Sequence, residues 1–246
     1  MIIWAGTSNK DVGMIIEHYP SVIFPQRSQE VLQIPGRNGA IVLPYGAFQN
    51  YEQSYQAFLD AKYIGGLEHV MPKVADWLLG NEGYHKLEDS YFPDTYRMAY
   101  YSGGAEFVSI FNEYGEGTLT FNCAPERYFK SGDFDIALEN NTILKNPTSF
   151  PAYPEVRITP STTHSDVELT FTDSNNIDHS MTILSSGFSY GTVGLNMKEH
   201  TAFHGSVNLN GYVTGSYDDM KLTREMKISW TGNVLSVLIR PRWWTI

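Results

Sequence analysis

Apolar and polar residues alternate with a period of two in several parts of the chain. Leu119, Phe121 and Cys123 alternate with Thr118, Thr120 and Asn122. Val167, Leu169 and Phe171 alternate with Asp166, Glu168, Thr170 and Thr172, and Met226, Ile228 and Trp230 with Lys227, Ser229 and Thr231. Successive strand side chains point to opposite faces, so each segment predicts a strand with one face buried and one wet. Turn residues punctuate these segments. Asn38-Gly39 stands between the apolar positions around Ile34 and Ile41, a strong short-range hairpin signal. Asp173-Ser174-Asn175-Asn176 follows one strand, and Gly232-Asn233 joins 227–231 to the apolar run 234–239 as a two-residue hairpin loop would. Helix signals are scarce. Residues 72–79 predict one short helix, with Pro72 at its first position, Val74, Trp77 and Leu78 along one side, and Gly80 as the stop. Residues 50–62 are ambiguous: Tyr51, Tyr55, Phe58 and Leu59 have helical spacing, but their aromatic content suits a strand.

The texture changes near residues 140–150. Asn140-Asn141 and the stretch from Lys145 to Pro154 concentrate Asn and Pro, which resist both helix and central strand. Before this stretch the pattern mixes strands with a helix; after it come short strands at hairpin spacing, the signature of a β-sandwich. The reading is mainly β, with domains at 1–142 and 143–246.

Composition narrows the function. Of the 246 residues 42% are apolar and 14% aromatic, which suits half-buried strands and large interfaces better than a helical bundle. The net charge of −10 repels phosphate backbones and argues against nucleic-acid binding. Cys123 is the single cysteine, so no intrachain disulfide forms and a zinc site could draw on one thiolate at most. That fits folding in a reducing cytoplasm. The first residues, Met1 to Gly6, lack the basic and apolar regions of a signal peptide, and no apolar run approaches membrane-spanning length. The expectation is a soluble protein made in the cytoplasm.

Several motifs could carry chemistry. Gly187-Phe188-Ser189-Tyr190-Gly191 matches the nucleophile elbow of serine hydrolases, but that elbow needs a strand turning into a helix, and Thr192-Val193-Gly194-Leu195 follows here. Glu199 is the single acid between Ser189 and His200, adjacent to that His and poorly placed to orient it. His200 and His204 have metal-ligand spacing for a helix, yet Thr201 stands where the zincin glutamate would be, and the segment ends at Gly205. Asp173-x-Asn175 starts like a calcium loop, but Ile177 and Asp178 occupy the next ligand and glycine positions, so a hairpin loop is the better reading. Neither Gly103-Gly104 nor Gly191-x-x-Gly194 completes a dinucleotide fingerprint. Trp243 and Trp244, adjacent near the C-terminus, could stack on sugar rings. Neighbours on a strand face opposite ways, so at most one would meet a ligand, and the favoured reading is one in the core and one at an interface. No catalytic, cofactor-binding or metal-binding residues follow from these motifs, and no binding residues are assigned.

Four segments together resemble the distal tail proteins of siphophages: Gln33 to Ala40, with Pro35-Gly36-Arg37-Asn38-Gly39; Gly117 to Tyr128, with Cys123-Ala124-Pro125; Asn146 to Pro154; and Ile239 to Ile246, with Arg240-Pro241-Arg242-Trp243-Trp244. The resemblance implies an N-terminal β-rich ring-forming domain with a short helix and a C-terminal galectin-like β-sandwich. It implies a structural hub rather than an enzyme, without cofactors: a homo-hexameric ring at the tail tip, in the virion. Its implied partners are the tail tube, tape-measure and tail-associated proteins, and in some phages receptor-binding proteins, with DNA only as passing cargo. The competing readings are a carbohydrate-binding adhesin module, a hydrolase using Ser189, and a tail-tube subunit. In a ring of this kind the hairpin around Arg37-Asn38-Gly39 is a reasonable contact element, and an ordinary solvent-exposed turn is the alternative reading.

Overall fold

The alternating segments are strands in the computed structural model, which describes residues 1–63, 65–163 and 165–246. The chain divides into two units, Met1–Arg127 with Ile246, and Tyr128–Thr245. The division lies upstream of the 142/143 junction that composition suggests, and the Asn- and Pro-rich stretch lies inside the second unit.

The first unit comprises β1 (Ile2–Trp4), β2 (Thr7–Ser8), β3 (Met14–Ile16), β4 (Arg27–Gln33), β5 (Ala40–Phe48), β6 (Tyr51–Asp60), α1 (Leu67–Leu79), β7 (His85–Asp89), β8 (Thr95–Tyr100), β9 (Phe107–Ile110) and most of β10 (Tyr114–Phe129). Its main sheet is antiparallel in the order β2-β1-β7-β8-β10-β6-β3, with β9 also on β10. The ambiguous segment 50–62 is strand. Gln53, Tyr55, Ala57 and Leu59 are buried while Glu52, Ser54 and Gln56 are exposed, so period two prevails over the helical spacing of the aromatics. Opposite it, Leu119, Phe121 and Cys123 are fully buried, paired with Tyr55, Gln53 and Tyr51.

The helix α1 begins at Leu67, earlier than the Pro72 start read from the sequence, and Pro72 lies inside it. Proline there lacks the N–H that would reach Glu68, one bond in a thirteen-residue helix. Packing outweighs that loss. Leu67, Val70, Val74, Trp77 and Leu78 recur on one face and are buried, and the Trp77 Nε1–H donates to the Trp4 carbonyl at 3.3 Å. Trp4 and Phe121 meet with ring centroids 5.5 Å apart.

A charged group is also sealed into this core. Arg97, on β8, is 3% exposed; its Nη1 donates to Asp89 Oδ2 at 2.8 Å and to the Tyr55 hydroxyl at 3.1 Å. Asp89 Oδ1 accepts from the backbone N–H groups of Tyr91 and Phe92. Burial pushes the Tyr55 phenol well above its ordinary range.

The second unit is a β-sandwich. One sheet has the order β11 (Ile136–Leu138), β21 (Val234–Arg240), β13 (Glu155–Pro160), β16 (Val193–Asn196), β17 (Thr201–His204), β18 (Val207–Asn208). The other runs β12 (Thr142–Lys145), β20 (Glu225–Thr231), β14 (Val167–Thr172), β15 (Asp178–Ile183), β19 (Val213–Gly215). A short β22 (Trp244–Thr245) follows. Val156, Ile158, Val193, Leu195, Val237 and Ile239 from the first sheet share a core with Val167, Leu169, Phe171, Met181, Ile183, Met226 and Ile228 from the second.

The Asn- and Pro-rich segments carry the chain between sheets. Asn140-Asn141 links β11 to β12, and residues 146–154 link β12 to β13, each time changing sheet. The turn at Gly232-Asn233 differs from its hairpin reading: β20 and β21 belong to opposite sheets and do not pair. Alternation tells which face of a strand is buried but not which strand lies beside it. In β16, Gly194 faces Phe203 across the ladder. A Cβ at Gly194 would lie 2.6 Å from Phe203 Cζ, so the aromatic ring occupies the space that the missing side chain leaves.

Candidate functional site

The region that departs most from a self-contained fold is residues 27–48. Among the described residues β4 and β5 pair only with each other. Between Gln33 and Ala40 the chain reverses with Ile34 C=O accepting from Arg37 N–H at 3.1 Å. Gly36 takes φ 81° behind Pro35, the pattern of a type II turn, which needs a positive φ at its third position. The tight reversal is therefore Pro35-Gly36. Asn38-Gly39 lies on the returning side, so the hairpin exists where the sequence places it but turns on a different dipeptide.

No residue of β4 or β5 is buried, and none belongs to either hydrophobic core. The arm is nevertheless apolar on both faces. Val31 pairs with Val42 on one side, while Leu32 pairs with Ile41 beside the Glu30–Leu43 pair on the other. Val31 is 53% exposed, Val42 50% and Tyr45 62%, with Leu32, Ile34 and Leu43 also exposed. Polar contacts trim the arm without covering it: the Tyr45 hydroxyl donates to Glu30 Oε2 at 2.9 Å, which raises that phenol's pKa, and Arg27 lies 4.7 Å from the Phe48 ring centroid. An isolated two-stranded ribbon is marginal in water, and contiguous exposed apolar surface marks an interaction site. The segment before it, residues 17–26, continues the exposure with Tyr19, Val22 and Phe24.

A second exposed apolar surface lies on the main sheet of the same unit. Ile15 faces Phe58 across the β3–β6 ladder. Phe58 stacks on Tyr114 at 5.7 Å, both half-buried, and across Glu116 the next strand adds Val108, 61% exposed. At the β9–β10 tip Phe111 is 92% exposed at φ 52°. This tip is held by Leu67 N–H donating to the Asn112 carbonyl and by Asn112 Nδ2 donating to Glu68. Sequence reading missed this surface, because its residues come from three separate parts of the chain: β3, β6 and the β9–β10 hairpin.

The motifs weighed for chemistry lie apart from these surfaces. Ser189 is an exposed residue of a 3₁₀ turn, Ser185–Tyr190, rather than of a strand–helix elbow. His200 stacks on Tyr217 and its Nε2 lies 3.1 Å from Asp218 Oδ1, whereas His204 Nδ1 lies 2.9 Å from the Thr192 carbonyl. The two histidines thus serve different contacts, one in a turn and one on a strand. Asp173 closes the β14–β15 loop, accepting from Asn175 N–H at 2.8 Å and Ile177 N–H at 2.9 Å. These bonds, that from Ile177 foremost, hold its carboxyl below the ordinary range. Trp243 is 7% exposed and packs in the sandwich core, while Trp244 is half-buried, stacked on Phe150 at 4.6 Å. Among the described residues no group of three or more His, Cys, Asp or Glu could hold a metal ion, and no helix is long and apolar enough to cross a membrane.

No family model matches the sequence, and no curated protein matches it. Solved structures do. The crystal structure of the SPP1 Dit protein, described as a paradigm of the hub adsorption apparatus in phages infecting Gram-positive hosts, superposes with a TM-score of 0.69. It does so at 15% identity, over 97% of this chain and 96% of that one. The phage P2 baseplate in its activated conformation matches at TM-scores of 0.51 with Ca and 0.52 with Sr. Identities there are 9% and 10%, over 92% of this chain and 89% of those. The chain has, across nearly its whole length, the fold of a phage tail hub protein of the Dit type.

Proposed function

We propose that this protein is a structural hub of a siphophage tail tip and not an enzyme. Copies assemble into a hexameric ring that joins the tail tube and tape-measure protein to the tail-associated and receptor-binding proteins. The observation that carries this reading is the β4–β5 arm, apolar on both faces and covered on neither, in a chain whose fold matches a hub protein from end to end.

A ring uses a heterologous contact, in which one patch of each copy docks a different patch of the next. The arm supplies one patch, and the sheet surface of Ile15, Phe58, Tyr114 and Val108 supplies the other. Fully burying a Val or Leu side chain contributes about 1.5–3 kcal/mol. The arm residues are about half covered already, so about 1 kcal/mol each remains to be gained on assembly. Neighbouring copies also cover the arm's free strand edges, which otherwise invite uncontrolled pairing. The net charge of −10 suits a channel through which DNA passes without sticking. On this reading the protein is made in the host cytoplasm and resides in the virion.

Light scattering with negative-stain imaging of the purified chain tests the proposal. A hexamer-sized ring with a central channel is the expected result, reduced to monomer in a Leu32→Asp/Val42→Asp variant. A wild-type chain that stays monomeric at all concentrations overturns self-assembly, and a ring that survives the double variant removes the arm from the interface.

A further inference from the structure

We propose that the sandwich unit carries a binding cleft for an anionic sugar, independent of the hub role. Where β12 crosses to β13 a cavity of about 300 Å³ opens, lined by Asn146, Thr148, Ser149, Phe150, Pro151, Thr223 and Arg224. That volume stands at the lower end of small-molecule clefts, roughly 300–1,000 Å³, room for a single ring.

The cleft is held open by its own frame. Asn146, 7% exposed, donates from Nδ2 to the carbonyls of Phe150 and Leu222 at 2.8 and 3.0 Å, and its Oδ1 accepts from the N–H and hydroxyl of Thr148. The Thr148 hydroxyl in turn sits 3.1 Å from the Phe150 carbonyl. Trp244, outside the cleft, supports the Phe150 ring by stacking and donates from Nε1 to the Pro151 carbonyl at 2.8 Å. Asn146 and Thr148 are thereby used up in shaping the loop. Phe150 and Pro151 are left as an apolar wall, and Ser149 and Arg224 complete the lining with side chains that the frame does not use.

Arg224 supplies the charge argument. The other arginines of this unit are all neutralised: Arg157 and Arg240 by Asp135, and Arg242 by Asp133, with Glu155 near both Arg240 and Arg242. Among the described residues Arg224 has no acidic partner, and Glu225 beside it pairs with Lys145 at 3.9 Å. An arginine without an acidic partner in the lining of a framed cleft, in a chain of net charge −10, favours a carboxylate or phosphate, which a guanidinium can grip with two N–H donors. The apolar wall and the hydroxyl fit the two sides of a saccharide ring.

Saturation-transfer NMR on the whole protein tests this, with glucuronate, glucose 6-phosphate, glucose and inorganic phosphate as probes. Both anionic sugars are expected to bind, about tenfold or more tightly than glucose, and the stronger of the two identifies the acid group. Arg224→Ala should bring them down to the level of glucose, and Arg224→Lys should restore part of the difference. Arg224 is exposed, so an unchanged unfolding midpoint confirms that the variant is folded. Glucose binding as well as the acids, an unaffected Arg224→Ala variant, or no saturation of either acid overturns the proposal. Inorganic phosphate displacing the sugars at an equal concentration overturns it too, since the cleft would then hold an ion only.

Discussion

The β4–β5 arm and the β14–β15 hairpin are both antiparallel pairs closed by a short loop, yet they hide opposite amounts of themselves. In β14–β15 the residues Val167, Leu169, Phe171, Met181 and Ile183 are fully buried, and Glu168, Thr170 and Thr172 face outward. In the arm no residue is buried, although Val31, Leu32, Ile41, Val42 and Leu43 are as apolar as the sandwich core. The difference is in the pattern. The core hairpin alternates, so one face suffices to bury it. The arm has consecutive apolar residues, which place hydrophobic side chains on both faces. A continuous apolar run is the mark of a strand covered on both sides, and among the described residues none supplies that cover. In the proposed ring a neighbouring copy supplies it.

Substitutions put this contrast at risk, starting with the largest effect. Phe171→Ala should lower the unfolding free energy by about 3–5 kcal/mol in urea titration, because it empties a close-packed position. Asp89→Asn should cost the first unit a comparable amount, about 3–5 kcal/mol, since it leaves the Arg97 guanidinium charged, buried and unpaired. Thermal unfolding of that variant read against Asp89→Asn/Arg97→Met would show recovery if the unpaired charge is the cause. Gly194→Ala should cost about 1–3 kcal/mol through the clash with Phe203, and a Phe203→Leu background should relieve most of it.

The smallest expected effects belong to the arm. Val31→Ser or Leu32→Ser should change monomer stability by no more than about 0.5 kcal/mol while weakening assembly. An arm variant that unfolds as readily as Phe171→Ala would erase the distinction between the two hairpins. Cys123 offers a readout that ignores the arm altogether. Burial pushes its thiol up to about 12 from an ordinary 9.0, so it should resist thiol reagents at pH 8 until the protein unfolds. The sign follows from the raised value. The folded state keeps its proton where the unfolded state has lost it, so the contribution is complete below pH 9 and disappears as pH rises toward 12. The arm variants should leave both the thiol's protection and this alkaline limit unchanged.

Much of the fold was readable from local pattern. The alternation in residues 118–123, 166–172 and 226–231 gave strands with the correct inner faces, because side-chain direction in a strand depends on residue parity alone. One helix near Trp77 and a sandwich in the later half were equally legible. The start of α1 was not, since Pro72 is a strong local signal that packing of Leu67 and Val70 overrides. Nor were the partners of each strand. Gly232-Asn233 reads as a hairpin, and only the tertiary structure sends β20 and β21 to opposite sheets.

The candidate sites divide in the same way. The arm was visible as a hairpin because its residues are contiguous, but its exposure was not, because burial depends on what the remainder of the chain brings alongside. The sheet surface of Ile15, Phe58, Tyr114 and Val108, and the cleft that joins Asn146 and Phe150 to Arg224, were invisible in the sequence. Sequence determined local direction and periodicity in this protein, which arise from neighbouring residues. The tertiary structure decided adjacency, and with it which apolar residues are core and which are left uncovered.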